Sequence, residues 1–225
     1  SSPLSDTPRP GNAKFKKLTP VDPNSTNPYQ LTEADRTVIG NTTPKFSGGF
    51  GLNATYKGFD MSMFFNFMYD FDVLNANKIM LTTWADNKEN NFLMDIASDK
   101  RWRNFDDMGN EIRYSPEVLA EFNKNATMWN PTSIGRPICM SYAVEDGSFL
   151  RLNSATLGYT LPSVWTKKVG LSKVRFYVSG NNLFTLTGYS GYDPEVNIAT
   201  GLTPNIDYNR YPRSRTYTFG AQLTF

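Results

Sequence analysis

Over residues 214–225 the chain alternates without a break: Arg215, Tyr217, Phe219, Ala221, Leu223 and Phe225 fall on one parity, and Ser214, Thr216, Thr218, Gly220, Gln222 and Thr224 on the other. Period two is the repeat of a strand, whose successive side chains point to opposite sides of a sheet. A run this long with one apolar face restricts the fold more than any composition figure does. At roughly 3.3 Å per residue and a tilt near 45°, about eleven residues rise roughly 25 Å, the height of the apolar band on a membrane barrel.

Four further segments carry the same signal. Residues 45–56 place Phe46, Gly48, Phe50, Leu52, Ala54 and Tyr56 against Ser47, Gly49, Gly51, Asn53 and Thr55. Lys57-Gly58 then predicts a tight reversal, because glycine accepts a positive φ without steric cost. In the return segment Phe59, Met61, Met63, Phe65, Phe67 and Tyr69 alternate with Asp60, Ser62, Phe64, Asn66, Met68 and Asp70. Residues 148–160 begin with Leu150 and Leu152 on one parity and finish with Ala155, Leu157 and Tyr159 on the other, which a bulge near Asn153-Ser154 reconciles by adding one residue. After a turn at 161–172, Val174, Phe176 and Val178 alternate with Lys173, Arg175, Tyr177 and Ser179.

Composition bounds what these strands can build. With 39% hydrophobic residues, a mean hydropathy of −0.46 and no apolar run of about 18 residues, a transmembrane helix is excluded. A barrel is not, since its strands hide behind alternation. The net charge of +2 gives no case for a nucleic-acid surface. The lone Cys139 permits no internal disulfide, and the absence of histidine removes histidine-dependent catalysis. No charged-then-apolar leader stands at Ser1, which suits a processed or partial chain.

Energy assigns the faces. Arg or Lys on the lipid side at mid-depth costs about 2–4 kcal/mol, falling to about 0–1 near the interfaces. Asp60, Arg151, Lys173 and Arg175 therefore belong to the lumen or the rims, Arg215 to a rim, and Tyr56, Phe59, Tyr159 and Tyr217 to interfacial aromatic girdles. If the last strand ends in the periplasm, the turns at 57–58 and 161–172 lie on that side, and 71–147 and 185–213 lie outside. Short turns on one side and long loops on the other are the pattern of bacterial outer-membrane barrels; a soluble sandwich has no reason for it.

Thr218, Gly220, Leu223 and the aromatic Phe225 resemble the signal by which outer-membrane assembly machinery recognises a final barrel strand. A broader resemblance rests on residues 144–152 (Val-Glu-Asp-Gly-Ser-Phe-Leu-Arg-Leu), 157–162 (Leu-Gly-Tyr-Thr-Leu-Pro), 177–184 (Tyr-Val-Ser-Gly-Asn-Asn-Leu-Phe), 191–195 (Gly-Tyr-Asp-Pro-Glu) and 211–220 (Tyr-Pro-Arg-Ser-Arg-Thr-Tyr-Thr-Phe-Gly), with 35–44 before the first strand. In this order they resemble the carboxy-terminal barrel of SusC/RagA-type TonB-dependent transporters of Bacteroidetes. The resemblance implies an all-β fold: a transmembrane antiparallel barrel of about 22 strands, plugged by an amino-terminal domain, capped by a SusD-type surface lipoprotein and energised through TonB. This chain then supplies the last five strands. Five cannot close a barrel by themselves, so the missing part provides the plug, the TonB contact and the remaining wall.

The resulting division is an extracellular loop region at 1–44, a transmembrane hairpin at 45–70, a long extracellular loop at 71–147, a strand pair at 148–184 with its periplasmic turn, an extracellular loop at 185–213 and the terminal strand at 214–225. Recognition belongs on loops held by a rigid scaffold. Trp84, Trp102, Trp129, Tyr189 and Tyr192 are thus the candidates for stacking on sugar rings or anchoring the lipoprotein lid, although packing of each loop against itself is the simpler reading of any one of them. Residues 115–122 predict a short helix with Ser115 as N-cap and Pro116 in its first position.

Asp22 and Glu33 echo the spacing of a calcium loop, but Asn27 stands where the sharp turn needs glycine and Pro28 follows, so a solvated polar loop fits better and no metal or cofactor is expected. The glycines of 48–51 form no phosphate loop, since no helix follows; they relieve crowding or mark a bend. Asp106-Asp107 and Glu145-Asp146 are adjacent solvated acids rather than the facing pair a glycosidase needs, so no enzyme is expected. The function expected is import of nutrient oligomers, oligosaccharide first and oligopeptide second. A soluble carbohydrate-binding β-domain is the alternative of another class, and it predicts a chain that is soluble alone.

Overall fold

The computed structural model describes residues 9–21, 23–24, 26, 30–83, 91–96, 99–134, 138–196 and 204–225. Its strands are β1 (Phe46–Tyr56), β2 (Phe59–Tyr69), β3 (Asp72–Asn75), β4 (Val144–Asp146), β5 (Phe149–Thr160), β6 (Lys173–Thr187), β7 (Ile206–Asp207) and β8 (Thr216–Thr224). The five long ones form one antiparallel sheet in the order β1-β2-β5-β6-β8, and the three short ones a second sheet in the order β4-β3-β7.

Lys57 and Gly58 close the β1–β2 hairpin with φ of 47° and 90°. Both central residues are left-handed, the type I′ geometry whose twist matches the flanking strands; the lysine shares the conformation expected of the glycine alone. Register then carries the apolar parity across the whole sheet. Phe50 faces Phe65, Leu52 faces Met63 and Tyr56 faces Phe59. On the far side of β2, Met61 faces Leu157 and Phe65 faces Leu152, with Asn153 skipped between Ser154 and Leu152. The bulge lies where the parity change requires it. Leu157 continues to Val178 and Leu150 to Leu186, and Val178 to Phe219, so most apolar residues of the five strands share one face, with Phe64, Met68 and Phe149 on the other.

Boundaries differ from the sequence reading in three places. β8 begins at Thr216, leaving Ser214 and Arg215 outside it. β6 runs on to Thr187 through an irregularity at Asn182, whose φ is 53°. The stretch 71–147 is not one loop: β3 pairs with β4 inside it, and α1 (Ala76–Met80) and α2 (Pro116–Phe122) add helical turns. Ser115 occupies the N-cap position of α2 with Pro116 behind it, but its side chain makes no cap bond. The 161–172 turn holds a further helical turn, α3 (Ser163–Thr166), continued by a 3₁₀ turn at Lys167–Val169.

Two compact units result, one of residues 1–39 and 75–143, the other of 40–74 and 144–225. The second holds both sheets. Its core is small, comprising Phe71, Val73, Phe149, Tyr189 and Val196 with Met68 against them. Phe149 and Met68 stand on the polar face of the large sheet and pair directly, so this core caps one end of that face. The apolar face is mostly open: Phe50, Leu52, Phe59, Leu157, Phe176, Phe184, Phe219 and Leu223 on it are exposed, whereas Leu152 and Val174 are buried. The first unit buries Ile79, Ile96, Ile112, Ile134, Met140 and Ala143.

Candidate functional site

The polar face of the large sheet carries a lateral clamp. Asp60 on β2 pairs with Gly158 on β5, and Gly158 pairs in turn with Tyr177 on β6. Arg175, one pleat along β6, lays its guanidinium across β5 and donates from Nε and Nη2 to the two carboxylate oxygens of Asp60. Such a fork on a carboxylate fixes direction as well as charge. The crossing requires glycine at 158, where an added Cβ would lie 2.4 Å from Arg175 Nη2. Tyr177 repeats the device by lying over Gly220 of β8, whose Cβ would meet the ring at 2.3 Å. Phe64, the aromatic on the polar parity of β2, likewise lies over Gly49 of β1. These glycines relieve crowding under long side chains, as expected for 48–51.

At the other end of the same face the segment 188–196 is tied down at three points. Arg151 on β5, 2% exposed, pairs with Asp193 and stands 3.7 Å from Glu195, which accepts a 2.7 Å bond from Arg213. Ser190 donates its N–H and its hydroxyl to Glu145 at 2.9 and 2.8 Å. The Tyr189 hydroxyl donates to Asp207 at 2.6 Å. Burial and then that carboxylate push the Tyr189 phenol far above its ordinary value, so it stays a donor. Burial opposes the charge of Asp193, yet the bonds from Arg151 and from the Glu195 N–H outweigh it and hold its carboxyl below the usual range.

In the first unit, Trp102 packs its ring on Gly11, and its buried Nε1 has no partner among the described residues. Trp129 donates from Nε1 to the Thr82 carbonyl at 3.3 Å and meets Tyr142 edge-on at 4.9 Å. Asp35 is a hub: Oδ1 accepts from Leu18 N, Thr19 N and Thr19 Oγ1 at 2.9, 2.7 and 2.8 Å, and Oδ2 from Thr32 N at 2.8 Å. The backbone N–H groups of Thr19 and Thr32 hold that carboxyl far below the usual range. Glu33 of the calcium-like spacing pairs with Arg36 at 2.9 Å, whereas Asp22, Asn27 and Pro28 lie outside the described residues. Among the described residues no group of three or more acids or cysteines is placed to hold a metal ion.

Of the five aromatic candidates, Trp84 lies outside the described residues. Trp102 is half-buried against Gly11 of the amino-terminal segment and Trp129 against its own segment, Tyr189 is a core side chain, and Tyr192 is 84% exposed. Periodicity locates rings but not their neighbours, so nothing in the sequence separated Tyr192 from Tyr189. Among the described residues Arg151, Asp193 and Glu195 form a buried charge cluster in which Arg151 Nε and Glu195 Oε2 have no hydrogen-bond partner, and only the resemblance over 144–152 and 191–195 pointed to it. Of the residues that resemble an assembly signal, Thr218 and Gly220 stand on the polar face, Leu223 stands on the apolar face opposite Val174, and Phe225 follows β8 and is exposed.

No protein-family model matches the chain. TonB-dependent receptor P3 of Formosa agariphila is 35% identical over 202 residues, 87% of this chain and 18% of the receptor. The TonB-dependent receptor SusC of Bacteroides thetaiotaomicron is 38% identical over 88 residues, 37% of this chain and 8% of SusC. The solved structure of the RagAB peptide transporter matches with a TM-score of 0.67 at 26% identity, over 87% of this chain and 19% of that one. The RagAB peptide importer in its open-open state matches at 0.62 and 26%, over 90% of this chain and 20% of that one. Sheet and matches together define a receptor and transporter class, not an enzyme. The chain belongs to the SusC/RagA-type TonB-dependent receptors.

Proposed function

We propose that the chain forms the carboxy-terminal wall and outer loops of a TonB-dependent importer in the outer membrane of a Gram-negative bacterium, a barrel of about 22 strands completed by the rest of a longer protein. One observation carries this reading: five antiparallel strands share a single apolar face that stays open over most of its extent. A soluble domain buries such a face. Lipid is the surrounding that suits it, and the polar face with Asp60, Arg151 and Arg175 then belongs to the lumen. The free edges of β1 and β8 await neighbouring strands, since an open edge is not tolerated in hydrocarbon.

In this arrangement 57–58 and 161–172 are periplasmic, while 1–44, 71–147 and 185–213 are extracellular. The cargo is an oligosaccharide gathered with a SusD-type surface lipoprotein, and energy comes through TonB. Tyr192, Trp102 and Trp129, together with Trp84 and Tyr189, are the aromatic groups assigned to ligand or lid contact, with Tyr192 foremost because its ring is open. The lipoprotein and the sugar rest on what the SusC/RagA resemblance of residues 144–220 implies. The structures of the RagAB peptide importer and transporter support oligopeptide as the second cargo. Uptake by the full-length transporter tests this: oligosaccharide accumulation that falls several-fold on Tyr192→Ala is expected. Accumulation of oligopeptides alone assigns the second cargo, and accumulation of neither contradicts the importer.

A further inference from the structure

The two short turns at one end of the large sheet are uniformly basic. Residues 57–58 contribute Lys57, and residues 161–172 contribute Lys167 and Lys168 with no acidic residue among them. The turns lie side by side, since Thr160 N donates to the Gly58 carbonyl at 2.8 Å. Asp60, on β2 beside the first turn, is taken by Arg175. At the opposite end the acids Glu145, Asp193, Glu195 and Asp207 gather, each already bonded.

The basic end is also apolar. Val164, Trp165 and Val169 are 68%, 60% and 71% exposed, an unusual share for a turn of this length. The turn adjoins the apolar face, since Leu161 N donates to the carbonyl of Val174 at 2.9 Å. Tyr56, Phe59 and Tyr159 form a row across β1, β2 and β5 at this end, with the Phe59 and Tyr159 rings 4.5 Å apart. Val174, the first apolar-face residue of β6, is 6% exposed, whereas its neighbours Phe176 and Leu223 stay open at 52% each. Val178, flanked on the same face by Leu157 and Phe219, also stays partly open. Strand neighbours leave Val178 partly open, and α3 packs on β6. The burial of Val174 beside the turn fits α3 lying over that end of the apolar face, with Leu161 and Leu171 half-buried and Val164, Trp165 and Val169 open.

We propose that the 161–172 turn is a membrane-surface anchor: Val164, Trp165 and Val169 sit in the interfacial layer of the adjoining leaflet, while Lys167 and Lys168, with Lys57 alongside, hold the phosphate groups of anionic phospholipids. An amphipathic turn with a tryptophan and basic residues is what that layer favours, because the indole is apolar with one polar N–H and lysine binds phosphate while its stem stays in hydrocarbon. The inference rests on the lipid-facing reading of the sheet.

The test uses the full-length transporter in vesicles of phosphatidylethanolamine and phosphatidylglycerol, with nitroxide labels at Trp165→Cys and, separately, Phe219→Cys, all other cysteines including Cys139 being serine. Both labels should be reached by oxygen and shielded from a soluble nickel chelate, the one at 165 lying shallower. A label at 219 in lipid with one at 165 in water, or shielded from both quenchers by protein, overturns the anchor and leaves the barrel wall standing. Both labels in water overturn the wall and the anchor with it. The surface variant Lys167→Gln/Lys168→Gln, which disturbs no packed group, gives an independent measure. Phosphatidylglycerol retained on the purified transporter should fall about fivefold for each lysine removed, and unchanged retention contradicts the phosphate contact.

Discussion

Single residues in this chain act mostly through partners that are distant in sequence. Arg151 and Asp193 are 42 positions apart and Arg175 and Asp60 are 115 apart, separations at which periodicity is silent. The sequence could place Arg151, Asp60 and Arg175 on the polar parity, because a charge on the lipid side is costly; it could not say which acid meets which base. Arg151→Ala leaves Asp193 buried without its cation, a change that typically costs about 3–5 kcal/mol. The cost should be local, read as faster amide exchange over residues 189–196 of the full-length protein with the strand centres unaffected; unchanged exchange there would mean that the ion pair does not hold the segment. The same corner has a pH signature. A carboxyl held below its ordinary value stabilises the folded state above the unfolded pKa of about 3.9, and that contribution disappears as pH falls through the lower folded value. Protection of 189–196 should thus be level from pH 7 to about 4 and decline below it, and Asp193→Asn should weaken that decline. A decline complete by pH 5 would contradict the assignment to Asp193.

At the scale of elements, the five long strands were legible because each repeats one period over seven or more residues, and the bulge at Asn153 because a parity change within one run has no other simple cause. The three strands β3, β4 and β7 were not legible. Two to four residues hold too little periodicity, and their pairing is fixed by contacts such as Leu74 N to the Asn205 carbonyl at 3.0 Å. The ends of β6 and β8 moved for a related reason: Asn182 adopts a left-handed φ and donates from Nδ2 to the Ser214 carbonyl at 3.0 Å, a local bond that alternation does not encode. The face assignment makes an element-level prediction. Met63 stands mid-strand on the apolar face opposite Leu52 and Ala155, and Ser62 stands next to it on the polar face. Met63→Arg should destabilise the reconstituted transporter by about 2–4 kcal/mol in denaturant unfolding, the cost of a cation at mid-depth, and Ser62→Arg by much less. Equal effects would remove the distinction between lipid and lumen faces.

For the whole molecule, the relation between the open sheet and the longer relatives decides the account. This chain spans 18% of TonB-dependent receptor P3, and a sheet with two free edges and a mostly open apolar face is what a portion of barrel wall looks like when taken alone. Its small core, confined to one end of the polar face, is too slight to stand in for the missing surroundings. The solvent requirement of the isolated chain is therefore the most direct measurement. Expressed alone, the 225-residue chain should stay in solution only with detergent or lipid and aggregate when either is withdrawn. A monodisperse, folded monomer in plain buffer would contradict the barrel wall and favour a soluble carbohydrate-binding β-domain.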